Sequence, residues 1–541
     1  MASTLRVVLA QLNMLVGDIE GNTCKVIECA QKARSEYQAN IIVFPELTLC
    51  GYPPEDLLLR ESMMLRIEKA LEQLAAAGGG IDMALGLPAM GDKGLENQAV
   101  VIRDGNIICR HAKRYLPNYQ VFDEKRYFVP GTGYSVFECL GVKIGLTVCE
   151  DIWFPDPAAD VAAAGARFIL NLNASPFHLY QHDYRLDVVS QRVRETGLPV
   201  VYVNQAGGQD ELVFDGSSFV MNPDTSLAMT AVSHEESLSL AEFDTGSGQF
   251  VRGAFHDNKT LEARVYDTLV TGVRDYVNKN GFKGVVLGLS GGIDSALVLA
   301  IAVDALGCDR VDAVMMPFRY TSPISLEDAE TEARTLGVNY RILPIEPVFN
   351  SFMETLKEEF KGKARDTTEE NLQSRCRGVL LMAISNKKGY LVLTTGNKSE
   401  MAAGYTTLYG DMAGGFDVLK DVPKTLVYRL SRYRNSLSPT IPQRVIDRPP
   451  SAELAPNQID EDNLPPYDDL DKILELYIEQ DRSAEYITEQ GFDRDTVYQV
   501  LRLVDVNEYK RRQAPVGVRI TPRGFGRDRR YPITSGWKPG I

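Results

Sequence analysis

"LGLSGGIDSAL", residues 287–297, runs from an apolar strand through a glycine turn into a helix. Gly288, Gly291 and Gly292 let the backbone turn tightly and aim N–H groups at an anion, with a helix N-terminus behind them. Ser290 and Ser295 add hydroxyl donors, and Asp294 is placed to hold a Mg²⁺ that bridges phosphates. A kinase-type loop, GxxxxGK[ST], uses its lysine to draw charge toward the β- and γ-phosphates, and no such pattern occurs in this chain. A lysine-free loop suits a reaction that breaks ATP at the α-phosphorus and expels pyrophosphate, which the helix dipole and backbone donors stabilise.

Outward from this loop, strand-like and helix-like runs alternate: 285–290, 294–306, 311–317, 325–336, 340–345, 347–360, 368–388 and 390–396. Helical periodicity starts near Leu261. This βαβα order predicts a parallel, doubly wound sheet with ligands at the carboxyl ends of its strands. "YLVLTTGNKSE" (390–400) ends in Thr395 and Glu400, where a second wall of an ATP site belongs, and Glu400 would complete a metal site with Asp294. Residues 449–470 are rich in proline and aspartate and read as loop, and the tail 510–533 is strongly basic.

The front half has a different grammar. Short β-rich runs recur ("RVVLAQLN" 6–13, "IIVFPEL" 41–47, "IDMALGLP" 81–88, "VKIGLTVCED" 142–151, "RFILNLNAS" 167–175, "VVYVNQAGG" 200–208), most of them with a polar residue at or near the end. Near-continuous Val/Ile/Leu runs suit strands covered on both faces, and helical segments at 22–38 and 183–196 make the half layered α/β. Residues 240–262 lose the pattern and read as a connection. The expected division is 1–245, a linker at 246–262, and 263–541.

A chain of 541 residues is too long for one core and fits two to four domains. A net charge of −15 and a pI near 5.0 argue against a general nucleic-acid grip while leaving room for a local basic pocket. No apolar run reaches the ~18 residues of a membrane span, and no leader pattern opens the chain. Eight cysteines without CxxC or framework spacing predict reduced thiols and a cytoplasmic protein. Five histidines without paired spacing make a zinc site unexpected.

SGGxDS resembles the signature of ATP pyrophosphatases that adenylate an oxygen and displace AMP with nitrogen or sulfur. The run 390–429, "YLVLTTGNKSEMAAGYTTLYGDMAGGFDVLKDVPKTLVYR", is similar to NAD synthetases, and the resemblance extends over 263–541. It implies a Rossmann-like fold of the adenine nucleotide α-hydrolase kind. It also implies a reaction in which the carboxylate of deamido-NAD⁺ attacks the α-phosphate of ATP and ammonia then displaces AMP. By position, Gly288, Leu289, Ser290, Gly291, Gly292, Ile293, Asp294, Ser295 and Thr395 would bind ATP. Asn371, Glu400 and Lys510 would hold deamido-NAD⁺, and Asp294 and Glu400 would carry Mg²⁺.

An amidating enzyme needs nitrogen. Cys149 ends a β run, Glu46 closes "IIVFPEL" where a buried carboxylate is costly, and Lys113 sits in "RHAKRYLPNY". A lone cysteine at a strand end is ordinarily inert core, but together "FPEL", "KRYLPNY" and "VCEDIWFP" resemble the Glu-Lys-Cys triad of the nitrilase superfamily (carbon–nitrogen hydrolases), over about 1–240. That implies an α-β-β-α sandwich in which Glu46 takes the thiol proton, Lys113 stabilises the tetrahedral oxyanion and Cys149 attacks an amide. Tyr119, Ser175 in "NASPF" and Gln181 match the glutamine-binding elements, with two departures: Gln120 replaces an expected glycine and Gln181 an expected lysine or arginine. The whole chain resembles glutamine-dependent NAD synthetases, which implies a carbon–nitrogen ligase using glutamine, deamido-NAD⁺ and ATP. A homo-oligomer is expected, with no nucleic-acid or membrane partner. An amidotransferase acting on another carboxylate or nucleobase, and a hydrolase whose second domain only senses nucleotide, remain as rivals.

Overall fold

The computed structural model describes residues 4–77, 79–256, 259–456, 458, 460 and 464–538. The chain divides into two compact units, Met1–Asn258 and Lys259–Ile541.

In the first unit, β1 (Thr4–Gln11), α1 (Ile19–Tyr37), β2 (Ile41–Val43), α2 (Glu61–Ala77), β3 (Asp82–Gly91), β4 (Gly94–Arg103) and β5 (Asn106–Ala112) build one sheet with its helices. A second sheet starts with β6 (Ser135–Cys139), β7 (Val142–Val148), α3 (Pro155–Ala163), β8 (Phe168–Asn173), α4 (Gln181–Thr196) and β9 (Val200–Asn204). The ribbon β10 (Ala206–Gln209) and β11 (Leu212–Asp215) follows, then β12 (Phe219–Met221), β13 (Leu227–Thr230), β14 (Ser237–Asp244) and β15 (Gln249–Phe250). The strand orders are β15-β14-β1-β2-β3-β4-β5 and β13-β12-β9-β8-β7-β6.

The period of two along each strand sorts side chains into layers. Leu5, Val7 and Leu9 of β1 face inward and pack with Ile144, Leu146 and Val148 of β7 and Phe168 and Leu170 of β8. Val8 and Ala10 face outward onto Val26 and Ala30 of α1, with Ile67 and Leu74 of α2 on the same side. On the far side, Ile169, Val200 and Tyr202 meet Val161 of α3 and Val189 and Val193 of α4. The result is the α-β-β-α sandwich, in which each fully buried aliphatic side chain contributes about 1.5–3 kcal/mol. Residues 240–250, expected as connection, are instead structural: β14 pairs along the whole of β1 and β15 adds the edge strand. The alternation of "SLSLAEFD" (237–244) carries that signal.

In the second unit, α5 (Leu261–Lys279), β16 (Val285–Gly288), α6 (Ile293–Leu306), β17 (Val311–Met315), α7 (Pro323–Leu336) and β18 (Asn339–Ile342) are followed by α8 (Glu346–Thr355) and α9 (Thr367–Lys388). Then come β19 (Leu391–Thr394), α10 (Lys398–Ala403), β20 (Phe416–Asp417) and α11 (Lys424–Leu437). All four pairings are parallel, in the order β18-β17-β16-β19-β20. The order reverses between β16 and β19, the switch point at which such sheets open a crevice. The helix expected over 347–360 stops at Thr355, because "KEEFKGK" beyond it offers only Phe360 to bury.

Leu470, Ile473, Val497, Val500 and Leu501, from helices in 467–506, pack on Ala402 and Ala403 and so hold α10 against the sheet. The basic tail is folded and partly neutralised: Arg511 and Arg529 pair with Glu508, and Arg519 with Asp528, with the three arginines and Glu508 buried. Residues 457, 459 and 461–463 of the expected 449–470 loop lie outside the described residues. Among the described residues, no helix is long and apolar enough to cross a membrane.

Candidate active sites

In the first unit, Glu46 lies three residues past β2, Lys113 directly follows β5 and Cys149 directly follows β7. Both sheets thus deliver side chains to one end of the sandwich, and all three residues are buried. Lys113 Nζ donates to Glu46 Oε1 at 2.7 Å and to Glu124 Oε1 at 2.8 Å. Asn97 Nδ2 also donates to Glu46 Oε1, at 2.8 Å, while Glu46 Oε2 accepts only the Ala174 N–H, at 3.1 Å. Glu46 is therefore held by three donors and keeps acceptor capacity at Oε2.

Cys149 has φ +44°, a left-handed conformation that costs a residue with a Cβ on the order of 1–3 kcal/mol. That turn lifts the thiol out of the strand direction at the point where β7 ends. Burial holds the thiol well above its ordinary pKa, Glu46 adds to this and Lys113 opposes it. For Lys113, burial favours the neutral amine, but Glu124 and Glu46 outweigh it and keep the ammonium charged.

Glu124 was passed over in the sequence as one charge in "DEKRYF". It accepts from Lys113 and, at 2.8 Å, from Tyr52 Oη, and burial pushes its pKa up to about 7, with Lys113 opposing. Nothing at sequence level singled out Asn97 or Tyr52. Tyr119 Oη donates to Glu150 at 3.0 Å, and burial raises the Glu150 carboxyl. Gln181 Nε2 and Arg185 Nε both donate to Ser175 Oγ at 3.1 Å, so a cation one helical turn beyond Gln181 reaches the same hydroxyl. Arg185 is fully buried and also bonds Asp215 at 2.7 Å. Gln120 has φ +50°, which is the physical reason glycine is the expected residue there.

In the second unit, a cavity of about 250 Å³ opens at the switch point. It is lined by Gly288–Ser290 from the end of β16, Val392–Thr395 from β19, and Val314–Met316 from β17. Gly291 has φ +79°, and a Cβ there would lie 2.4 Å from Ser325 O, so only glycine fits. Ser290 N donates to Ser295 Oγ at 3.2 Å and Gly292 N to Ser290 Oγ at 3.2 Å, so the hydroxyls and N–H groups converge in the turn ahead of α6.

Asp294, in the first turn of α6, faces Glu400 of α10 across Lys424. Lys424 Nζ lies 2.6 Å from Asp294 Oδ2 and 3.3 Å from Glu400 Oε1, and Asn397 Nδ2 donates to Asp294 Oδ1 at 2.9 Å. Burial pushes Glu400 up to about 8; Lys424 offsets part of this and Asp294 adds to it. Lys424 and Asn397 are residues that sequence reasoning missed, although both lie inside the 390–429 run.

Asn371 Oδ1 accepts from Thr407 Oγ1 at 2.9 Å. Lys510 donates to Gly404 O at 2.8 Å and Thr406 O at 3.0 Å, so its charge is engaged by backbone carbonyls rather than presented free. Both flank segment 404–411, whose Gly410 and Asp411 line the cavity.

The first unit thus has the architecture and buried Glu-Lys-Cys cluster of a carbon–nitrogen hydrolase, and the second those of a nucleotide-binding synthetase. The carbon–nitrogen hydrolase family profile matches residues 6–252 and the NAD synthase profile residues 265–514. The chain is 50% identical over 539 residues to the glutamine-dependent NAD(+) synthetase of Acinetobacter baylyi, covering 99% of each chain. It is 46% identical over 572 residues to that of Thermotoga maritima, again covering 99% of each. The solved glutamine-dependent NAD⁺ synthetase of Acinetobacter baumannii in complex with ADP superposes with a TM-score of 0.81 at 48% identity, covering 100% of both chains. The chain belongs to the glutamine-dependent NAD(+) synthetase family.

Proposed function

We propose that the chain forms NAD⁺ from deamido-NAD⁺, ATP and glutamine, with the first unit, Met1–Asn258, as the amidase and the second, Lys259–Ile541, as the synthetase. The observation that carries this reading is the pairing, in one chain, of a buried Glu46–Lys113–Cys149 cluster with a lysine-free phosphate loop at a switch point.

In the amidase, glutamine would lie against Tyr119, Ser175 and Gln181. Glu46 Oε2, the oxygen with acceptor capacity left, takes the Cys149 proton as sulfur attacks the side-chain amide carbon. Lys113 stabilises the tetrahedral oxyanion. The proton passes to the departing nitrogen, ammonia leaves, and the thioester remains. Glu46 then removes a proton from water, which releases glutamate and restores the thiol.

In the synthetase, the 288–295 loop and Thr395 hold ATP with its phosphates against the α6 N-terminus. Asn371, Glu400 and Lys510 hold deamido-NAD⁺. Its carboxylate oxygen bonds to the α-phosphorus, the α–β bridging bond breaks, and pyrophosphate departs. Ammonia then attacks the acyl adenylate; the amide forms, AMP leaves, and one proton is released.

Mg²⁺ fits Asp294 and Glu400. Their carboxylates lie close enough to share the Lys424 ammonium, which would give way to the ion, and ATP phosphates would supply the further hard oxygens that two side chains lack. When bound, the ion would neutralise charge on the departing pyrophosphate. A cytoplasmic homo-oligomer completes the proposal.

The test is Cys149→Ala. Synthesis from glutamine is lost and synthesis from ammonium salts is retained, because the thiol serves only the first chemistry. Equal loss of both activities in a folded variant would contradict the two-site reading.

A further inference from the structure

Cys149 and Lys113 belong to different sheets, since Cys149 ends β7 and Lys113 continues β5. Their relative placement is therefore set by whatever ties those two strand ends together. One buried carboxylate does so directly. Asp151 Oδ2 accepts from Val148 N at 3.0 Å, on the residue before the nucleophile, and pairs with His111 Nε2 at 3.0 Å. Asp151 Oδ1 accepts from Arg114 N at 2.9 Å and Tyr115 N at 3.0 Å, on the two residues after the lysine. The side chain has 0% exposure and that of His111 3%.

Four donors fill a carboxylate's in-plane acceptor positions, and each hydrogen bond to a charged acceptor is among the stronger ones. On the other side of Lys113 the backbone is fixed as well, its N–H donating to Asn97 O at 2.8 Å and its O accepting from Gly131 N at 2.8 Å. Cys149 itself sits at φ +44°, a conformation that persists only where its surroundings over-determine it. The Asp151–Val148 bond closes the turn that imposes it.

We infer that Asp151 is a positioning residue for amide hydrolysis: it locks the Cys149 turn of one sheet to the Lys113 strand of the other, and so sets the distance from thiol to ammonium. This rests on the amidase reading above, but its central readout does not require glutamine. The charged groups that act most strongly on the thiol are Glu46, Lys113, Glu150 and Glu124, and Arg185, Tyr52, Tyr119 and Tyr202 also couple to it. Two cations favour the thiolate, Lys113 and the buried Arg185, and Lys113 acts the more strongly. If the lock is loosened, Lys113 drifts and the thiol holds its proton to higher pH.

The test uses the full chain carrying Asp151→Asn. The amide has the same shape but replaces one acceptor by an NH₂ group, so one arm of the lock is left donor to donor. The expected results are a fall in kcat for glutamine hydrolysis of roughly 10- to 100-fold with KM within about twofold, and an apparent pKa for iodoacetamide alkylation of Cys149 raised by roughly one unit. Ammonia-driven synthesis stays at the wild-type rate, and a wild-type circular dichroism spectrum and melting transition certify the fold of the first unit.

A folded variant with wild-type kcat overturns the inference. So does a variant whose activity falls while the alkylation profile stays in place, because that pattern belongs to a merely structural carboxylate. Should Asp151→Asn fail to fold, His111→Leu removes one donor of the four. It must then move the alkylation profile in the same direction by a smaller amount, and an unmoved profile overturns the lock. A wild-type chain that releases no ammonia from glutamine would defeat the amidase reading instead, and the alkylation comparison keeps the two failures apart.

Discussion

Glu124 is the second acceptor of the Lys113 ammonium and itself carries a pKa pushed up to about 7 by burial. Removing its charge leaves Lys113 with a single ionised partner and frees a buried Tyr52 hydroxyl from its carboxylate. Glu124→Gln is therefore expected to lower glutamine hydrolysis by about 100-fold, the scale at which a misplaced proton-transfer group costs rate. Ammonia-driven synthesis should not change. The wild-type rate should also carry a titration near pH 7 that the variant lacks, since that is where the carboxyl exchanges its proton. Steady-state ammonia release measured across pH in both proteins checks this. Glu124 lay in plain view in the sequence, but a carboxylate there has no periodicity or spacing that separates it from solvated charge. Only the fold shows that it shares a lysine with Glu46.

At the scale of elements, the phosphate loop depends on how closely β16, α6 and α7 approach. A methyl group at Gly291 would meet Ser325 O at 2.4 Å and would sit at φ +79°. Gly291→Ala must therefore push the loop away from α7, and synthesis from either nitrogen source should fall by at least roughly tenfold. Glutamine hydrolysis should persist, and parallel assays of the two activities decide the matter. The neighbouring α7 carries a different liability. Glu332 is buried, its Oε1 has no hydrogen-bond partner, and burial, with a further push from Asp328, raises its pKa from 4.5 to about 8. The folded chain thus keeps a proton that the unfolded chain releases, so wild-type stability declines as pH climbs from about 4.5 to about 8 and levels off above that. Glu332→Gln should be more stable than wild type by on the order of 2–3 kcal/mol at pH 7, with the difference vanishing toward pH 4. Denaturant titrations at both pH values measure it.

At the scale of the molecule, the sequence carried both architectures because each rests on local pattern. The near-continuous apolar runs mark strands covered on both faces, and the strand–glycine–helix motif marks the switch point. Glu46 and Cys149 were legible near the ends of such runs and Lys113 through the resemblance of "KRYLPNY" to the carbon–nitrogen hydrolases, and the structure brings Glu46 and Lys113 into contact. What the sequence hid is non-local. Lys424 meets Asp294 from 130 positions away, and Asp151 joins two sheets. The basic character of the tail carries no sign of its partners, because Arg511, Arg519 and Arg529 find their carboxylates only after folding. β14 and β15 look like a connection in sequence because β14 pairs with β1, from the opposite end of the unit, and β15 only extends β14.

The central claim is that one chain moves the side-chain nitrogen of glutamine onto an adenylated carboxylate. It is tested most directly by incubating the protein with amide-¹⁵N glutamine, deamido-NAD⁺, ATP and Mg²⁺, and resolving the products by mass spectrometry. The account predicts ¹⁵N-labelled NAD⁺, with AMP and pyrophosphate formed in equal amounts. Labelled ammonia without NAD⁺, or ADP and phosphate in place of AMP and pyrophosphate, would contradict it.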